Sequence, residues 1–93
     1  MKTVAAVLIS AGLLVAGPAV ASEDLAKKLG CTTCHAVDKK KMGPSLKDIS
    51  AKFKGQAGAA DKLTTAIAKG DGHPKAKGSE ADIKKVVEWV LAM

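Results

Sequence analysis

Between Ser22 and Met93 the chain offers only sixteen bulky apolar side chains to cover 72 residues: five Leu, four Val, three Ile, two Met, Phe53 and Trp89. A core that thin is marginal by itself, and chains of this size usually fold around disulfides, a metal or a cofactor. Whatever completes the fold must be held by the few side chains that can bind something, chiefly Cys31, Cys34, His35 and His73.

The overall hydrophobic content of 47% hides this shortage, because much of the apolar bulk lies between Val4 and Val20. Met1-Lys2-Thr3 is a short basic start, Val4 to Ala16 is apolar, and Gly17-Pro18 precedes the small-residue pattern Ala19-Val20-Ala21. This is the three-part layout of a secretory signal peptide, with cleavage expected after Ala21. The apolar run is too short to span a bilayer, which takes about 20 residues. The residue directly after the cleavage point is Ser22 and not a cysteine, so no lipid anchor is expected. The two segments are therefore 1–21, a cleaved signal, and 22–93, one small domain with 14 lysines and nine acids.

Within 22–93 the pattern is helical throughout. Ser22 to Gly30 reads as a two-turn helix with Ser22 as N-cap, acids in its first turn, Lys27-Lys28 in its last and Gly30 beyond its end. Leu46, Ile49 and Phe53 recur on a short helix after the turn Met42-Gly43-Pro44. Ala59 to Lys69 forms a third helix closed by Gly70. Gly70 to Gly78 is a loop, and Ser79-Glu80-Ala81-Asp82 opens a last helix with Ile83, Val86, Val87 and Val90 on one face. No strand-like alternation or internal repeat is present.

The chemistry sits in Cys31-Thr32-Thr33-Cys34-His35. A disulfide between cysteines two residues apart would constrain little of the unfolded chain. A thioredoxin-like redox pair needs a βαβ setting, which is missing, and a zinc site needs about four ligands where only His73 and scattered acids remain. The form C-x-x-C-H reads instead as covalent attachment of one c-type haem, with both thiols adding to the porphyrin vinyl groups and the adjacent imidazole on the iron. Export and a thin all-helical core point the same way.

The chain resembles the small single-haem class I cytochromes c of the bacterial periplasm. The resemblance rests on Leu29 to Asp38, on Lys41 to Phe53 and on Glu88-Trp89-Val90-Leu91, and it covers nearly the whole of 22–93. It implies an all-α cytochrome c fold, about four short helices wrapped around one covalently bound haem. It also implies that the first and last helices cross, with Trp89 packed at the crossing. Relatives often carry an aromatic five residues before the first Cys, where this chain has Ala26, so a closer or less filled crossing is expected. Finally, it implies that the Pro44 carbonyl accepts the Nδ1–H of His35, an arrangement that fixes the tautomer of a metal-bound imidazole.

Relatives take a Met as sixth iron ligand from a proline-rich loop. In 22–93 only Met42 and Met93 exist; the first precedes the turn on the His35 side and the second ends the last helix. The loop instead has His73-Pro74 where relatives have Met-Pro, in a shorter segment without the Trp and prolines that usually cover the propionate edge. His73 is therefore expected as the second metal ligand, giving bis-histidine ligation and a potential below that of His/Met relatives. An open or water-occupied sixth site, as in a haem-based ligand sensor, and a Lys or Met ligand are the alternatives at this position.

The expected activity is that of a periplasmic single-electron carrier rather than an enzyme, monomeric and without a membrane anchor once cleaved. A subunit role inside a periplasmic oxidoreductase complex fits the same residues. Lysines 27, 28, 39–41, 75, 77, 84 and 85 lie close in sequence to the haem motif, the His73 loop and the last helix. They suit docking to acidic surfaces of redox proteins by long-range attraction. Nucleic acid is a poor partner, since the chain has no arginine and almost no aromatics for base stacking.

Overall fold

The computed structural model describes residues 18–93, with side chains from Ser22 onward, so the apolar run Val4 to Ala16 lies outside the described residues. Four helices follow in order: α1 (Pro18–Lys28), α2 (Leu46–Phe53), α3 (Ala59–Lys69) and α4 (Glu80–Leu91). A 3-10 turn, Cys31–Thr33, separates α1 from α2, and no strand occurs among the described residues. The all-α architecture is as expected.

The start of α1 differs from the expected one. It begins at Pro18 rather than after Ser22, because a proline at the first helical position has its φ already set and needs no N–H partner there. Ala19, Val20 and Ala21 contain nothing that stops a helix, so in the uncleaved chain Ser22 is an interior residue and not a cap. The other boundaries follow the sequence pattern closely. Ser45 and Ser79 cap α2 and α4, their hydroxyls accepting from the N–H of Asp48 and Asp82, each at 3.1 Å. Such caps are each worth about 1 kcal/mol.

The core forms where α4 packs on α1, α2 and α3. Ile83, Val86, Val87 and Val90 supply one continuous buried face of α4, and Leu29 and Leu46 close it from the end of α1 and the start of α2. At roughly 1.5–3 kcal/mol per buried aliphatic side chain, this face outweighs the caps in holding the helices together. Ala26 is 0% exposed in the same cluster. A methyl group, in place of an aromatic ring, fills this point of the contact between α1 and α4, and Trp89 lies half-buried against the same cluster. Buried Ser50 donates to the carbonyl of Leu91 at 3.4 Å, joining α2 to the end of α4. All this packing leaves two loops, 34–45 and 70–79, to carry the remaining functional residues.

Candidate haem centre

The site begins where α1 stops. Gly30, at φ 84°, turns the chain out of the helix into the 3-10 turn. The His35 N–H then bonds back to the Cys31 carbonyl at 3.0 Å. Cys31, Cys34 and His35 thus occupy one tight turn, both cysteines half-buried and unpaired. Burial pushes the Cys31 thiol above its ordinary pKa, with a backbone hydrogen bond opposing the shift.

The following loop folds back under His35. Gly43 N–H donates to the Cys34 carbonyl at 2.8 Å, and Leu46 N–H to the Ala36 carbonyl at 2.9 Å. The Lys41 ammonium donates to the Thr32 carbonyl at 2.9 Å, tying this loop to the spacer between the cysteines. With the loop so placed, His35 Nδ1 lies 2.7 Å from the Pro44 carbonyl oxygen. A carbonyl can only accept, so Nδ1 carries the proton and Nε2 keeps its lone pair. Gly43 is packed against the ring itself: a Cβ at that position would stand 2.5 Å from His35 Cε1.

His73 comes from the loop between α3 and α4. Its Nδ1 lies 2.6 Å from the carbonyl oxygen of Pro74, so its Nε2 too is left free as a lone-pair donor. The two imidazoles face each other with centroids 6.0 Å apart and planes within 8° of parallel. That distance is too large for contact between the rings. The two methionines among the described residues are exposed, Met42 at 83% and Met93 at 40%.

A cytochrome c family model matches residues 19–93. The chain belongs to the cytochrome c family. It is 49% identical over 76 residues to cytochrome c-551 of Azotobacter vinelandii, covering 74% of this chain and 93% of that one. It is 40% identical over 92 residues to cytochrome c-552 of Nitrosomonas europaea, covering 90% and 89%. Among solved structures, wild-type Nitrosomonas europaea cytochrome c552 superposes with TM-score 0.65 at 38% identity, covering 74% of this chain and 95% of that one. The class 1 cytochrome MtoD of Sideroxydans lithotrophicus ES-1 gives TM-score 0.65 at 35% identity, covering 78% and 92%. The chain is thus a small class I cytochrome c, and the family's cofactor is covalently attached haem c.

The residues of this cytochrome fit that group. Two thiols two residues apart on a rigid turn suit the paired thioether links, and an imidazole with its Nδ1 already engaged suits an axial ligand. A separate open cavity of about 420 Å³ between α2, α3 and α4 is lined by Phe53, Gly58, Asp61, Lys84 and Glu88. It contains no thiol or imidazole and stands apart from this site.

Two features of the site escaped the sequence reading. The Pro74 carbonyl as partner of His73 was signalled only by the His-Pro dipeptide, and the contact of Gly43 with the ring was hidden in what reads as an ordinary turn. Among the described residues no helix is long and apolar enough to cross a membrane.

Proposed function

We propose that this cytochrome is exported, cleaved after Ala21 and active in the periplasm as a monomeric single-electron carrier, with haem attached through Cys31 and Cys34 and bound axially by His35 and His73. The observation that carries the reading is that His35 and His73, from two separate loops, come within 6.0 Å of each other, each with its Nδ1 engaged by a prolyl carbonyl. When bound, haem supplies an iron that changes oxidation state by one electron.

The protein's part is to hold that iron still. Pro44 and Pro74 fix the tautomers of the two ligands, and their carbonyls make each imidazole a better donor. Two nitrogen donors, without the thioether that raises the potential in His/Met cytochromes, favour the ferric state. The short His73 loop acts in the same direction by leaving the site more accessible to water. This cytochrome is therefore a low-potential member of its family.

The lysines supply steering. Lys47 is paired with Asp38 at 2.6 Å and Lys84 with Asp61 at 3.1 Å. Lys39 and Lys40 on the His35 side, and Lys75 and Lys77 on the His73 side, are exposed and have no carboxylate partner among the described residues. Uncompensated positive charge on both loops suits an acidic redox partner.

Absorbance spectra of the oxidised and reduced protein, with and without His73→Ala, test the ligand set. The expected result is a low-spin spectrum lacking a far-red Met–iron band in the native protein, and a high-spin spectrum in the variant. A Met–iron band, or a low-spin spectrum unchanged in His73→Ala, overturns it. The intact mass of the periplasmic protein should equal Ser22–Met93 plus one haem, and any other N-terminus overturns the cleavage site.

A further inference from the structure

His73 has little to hold it in place. Most of the loop from Gly70 to Ser79 is exposed, and only His73 and Ala76 are half-buried. Upstream the loop is anchored firmly, the Asp71 N–H bonding to the Ala66 carbonyl at 2.9 Å. Downstream its two backbone ties, Ala76 N–H to the Ile67 carbonyl and Lys77 N–H to the Leu29 carbonyl, are both 3.4 Å long. Bonds of that length are weak, and they leave the loop's distance from the protein body poorly defined.

A steric contact defines it better. Gly78 sits directly on Leu29, so closely that a Cβ at position 78 would lie 2.5 Å from Leu29 Cδ2. Leu29 has little room to retreat. It is 5% exposed and packed in the cluster formed by Ala26, Ile83, Val86 and Val87. Gly78 also has φ +95°, a conformation that side chains with a Cβ adopt only at a cost. Leu29 in turn stands two residues before Cys31, with only Gly30 between them.

We propose that the contact of Gly78 with Leu29 sets where the loop holds His73 relative to His35, making Gly78 a positioning residue for the second imidazole. The proposal rests on His73 being an iron ligand. It explains why the loop closes on glycine at this point: any larger residue must displace either a buried core leucine or an exposed loop, and the loop is the one that yields. Lifting the loop at residue 78 pulls on the whole segment back to its firm anchor at Asp71, and His73 lies within that segment. The same residue pair thus ties the distal ligand to the stretch of chain that carries the first haem-bearing cysteine.

The test uses the haem-loaded protein. Gly78→Ala should raise the high-spin fraction of the oxidised protein, shift its potential, and speed carbon monoxide uptake by the reduced protein about tenfold, as the His73-off population grows. Gly55→Ala is the control. It has a similar φ of +78° but nothing within 4 Å of its Cβ, so it should lower thermal stability and leave spectrum and carbon monoxide rate unchanged. Leu29→Val tests the seat from the other side and serves if Gly78→Ala does not accumulate. It should speed carbon monoxide uptake relative to Ile83→Val, a comparable truncation in the same core. If Gly78→Ala and Leu29→Val behave like their controls while His73→Ala turns the protein high-spin, the positioning role is overturned and the ligand assignment stands. If His73→Ala remains low-spin, the ligand assignment itself fails and this proposal fails with it.

Discussion

Pro44 and Pro74 stand in the same relation to the two imidazoles: each lends a main-chain carbonyl to an Nδ1, at 2.7 Å for His35 and 2.6 Å for His73. The chain reaches this result by different local routes. The His35 acceptor lies nine residues downstream and arrives through a folded-back loop, whereas the His73 acceptor belongs to the next residue. Both leave Nε2 as the only ring nitrogen able to bind metal.

Because the acceptors are main-chain atoms, the proline ring at position 44 is dispensable for the hydrogen bond. Pro44→Ala should keep the low-spin spectrum and cost only about 0.4–1 kcal/mol, the price of a less restricted unfolded chain. Urea titration followed by haem absorbance measures both. A switch to high spin would show that the ring itself, and not its carbonyl, holds His35.

Gly43 is a different matter. A Cβ there would lie 2.5 Å from His35 Cε1 and 2.9 Å from Nδ1, so Gly43→Ala must move either the ring or the loop that supports it. We expect about 1–3 kcal/mol of lost stability from the overpacking, together with a changed ligand-field spectrum. Normal spectra with normal stability would show that the loop relaxes freely, contrary to the bond from Gly43 N–H to the Cys34 carbonyl.

These contrasts show which parts of the molecule could be read from its sequence. α2, α3 and α4 were legible because their apolar spacing agrees with the flanking signals, the Pro44 turn and Gly55 around α2, Gly70 after α3 and Ser79 before α4. The start of α1 was not, since proline both ends and begins helices and Gly17-Pro18 does not by itself say which. The haem motif was legible as five contiguous residues. The pairing of His35 with Pro44 came only through resemblance. The closeness of Gly43 to a ring and of Gly78 to Leu29 depends on how distant segments meet, and a sequence shows such glycines only as turns.

Ala26 offers a test of packing in which the family norm should fail. It is fully buried where α1 meets α4, in a cluster with no exposed surface at this point. Ala26→Phe, although it restores the aromatic that relatives often carry, should destabilise this protein by about 1–3 kcal/mol. A rise in the thermal midpoint of the haem-loaded protein would mean that the crossing can open to accept the ring.

The exposed lysines divide into two groups that can be tested separately. Attraction between an uncompensated positive surface and an acidic partner raises the encounter rate by about 10- to 1,000-fold at low salt and fades as ions screen it. The Debye length falls from about 30 Å at 0.01 M to about 10 Å at 0.1 M salt. Electron transfer from the reduced cytochrome to an acidic redox protein should therefore slow steeply over that range. The double variant Lys39→Glu/Lys40→Glu should remove much of the salt dependence if docking uses the His35 loop, and Lys75→Glu/Lys77→Glu should do so if it uses the His73 loop. Lys47 and Asp38, 2.6 Å apart, cancel only as a pair, so the double variant Lys47→Gln/Asp38→Asn should leave the salt slope nearly unchanged. Rates in the native protein that do not fall with added salt would dispose of electrostatic steering on either face.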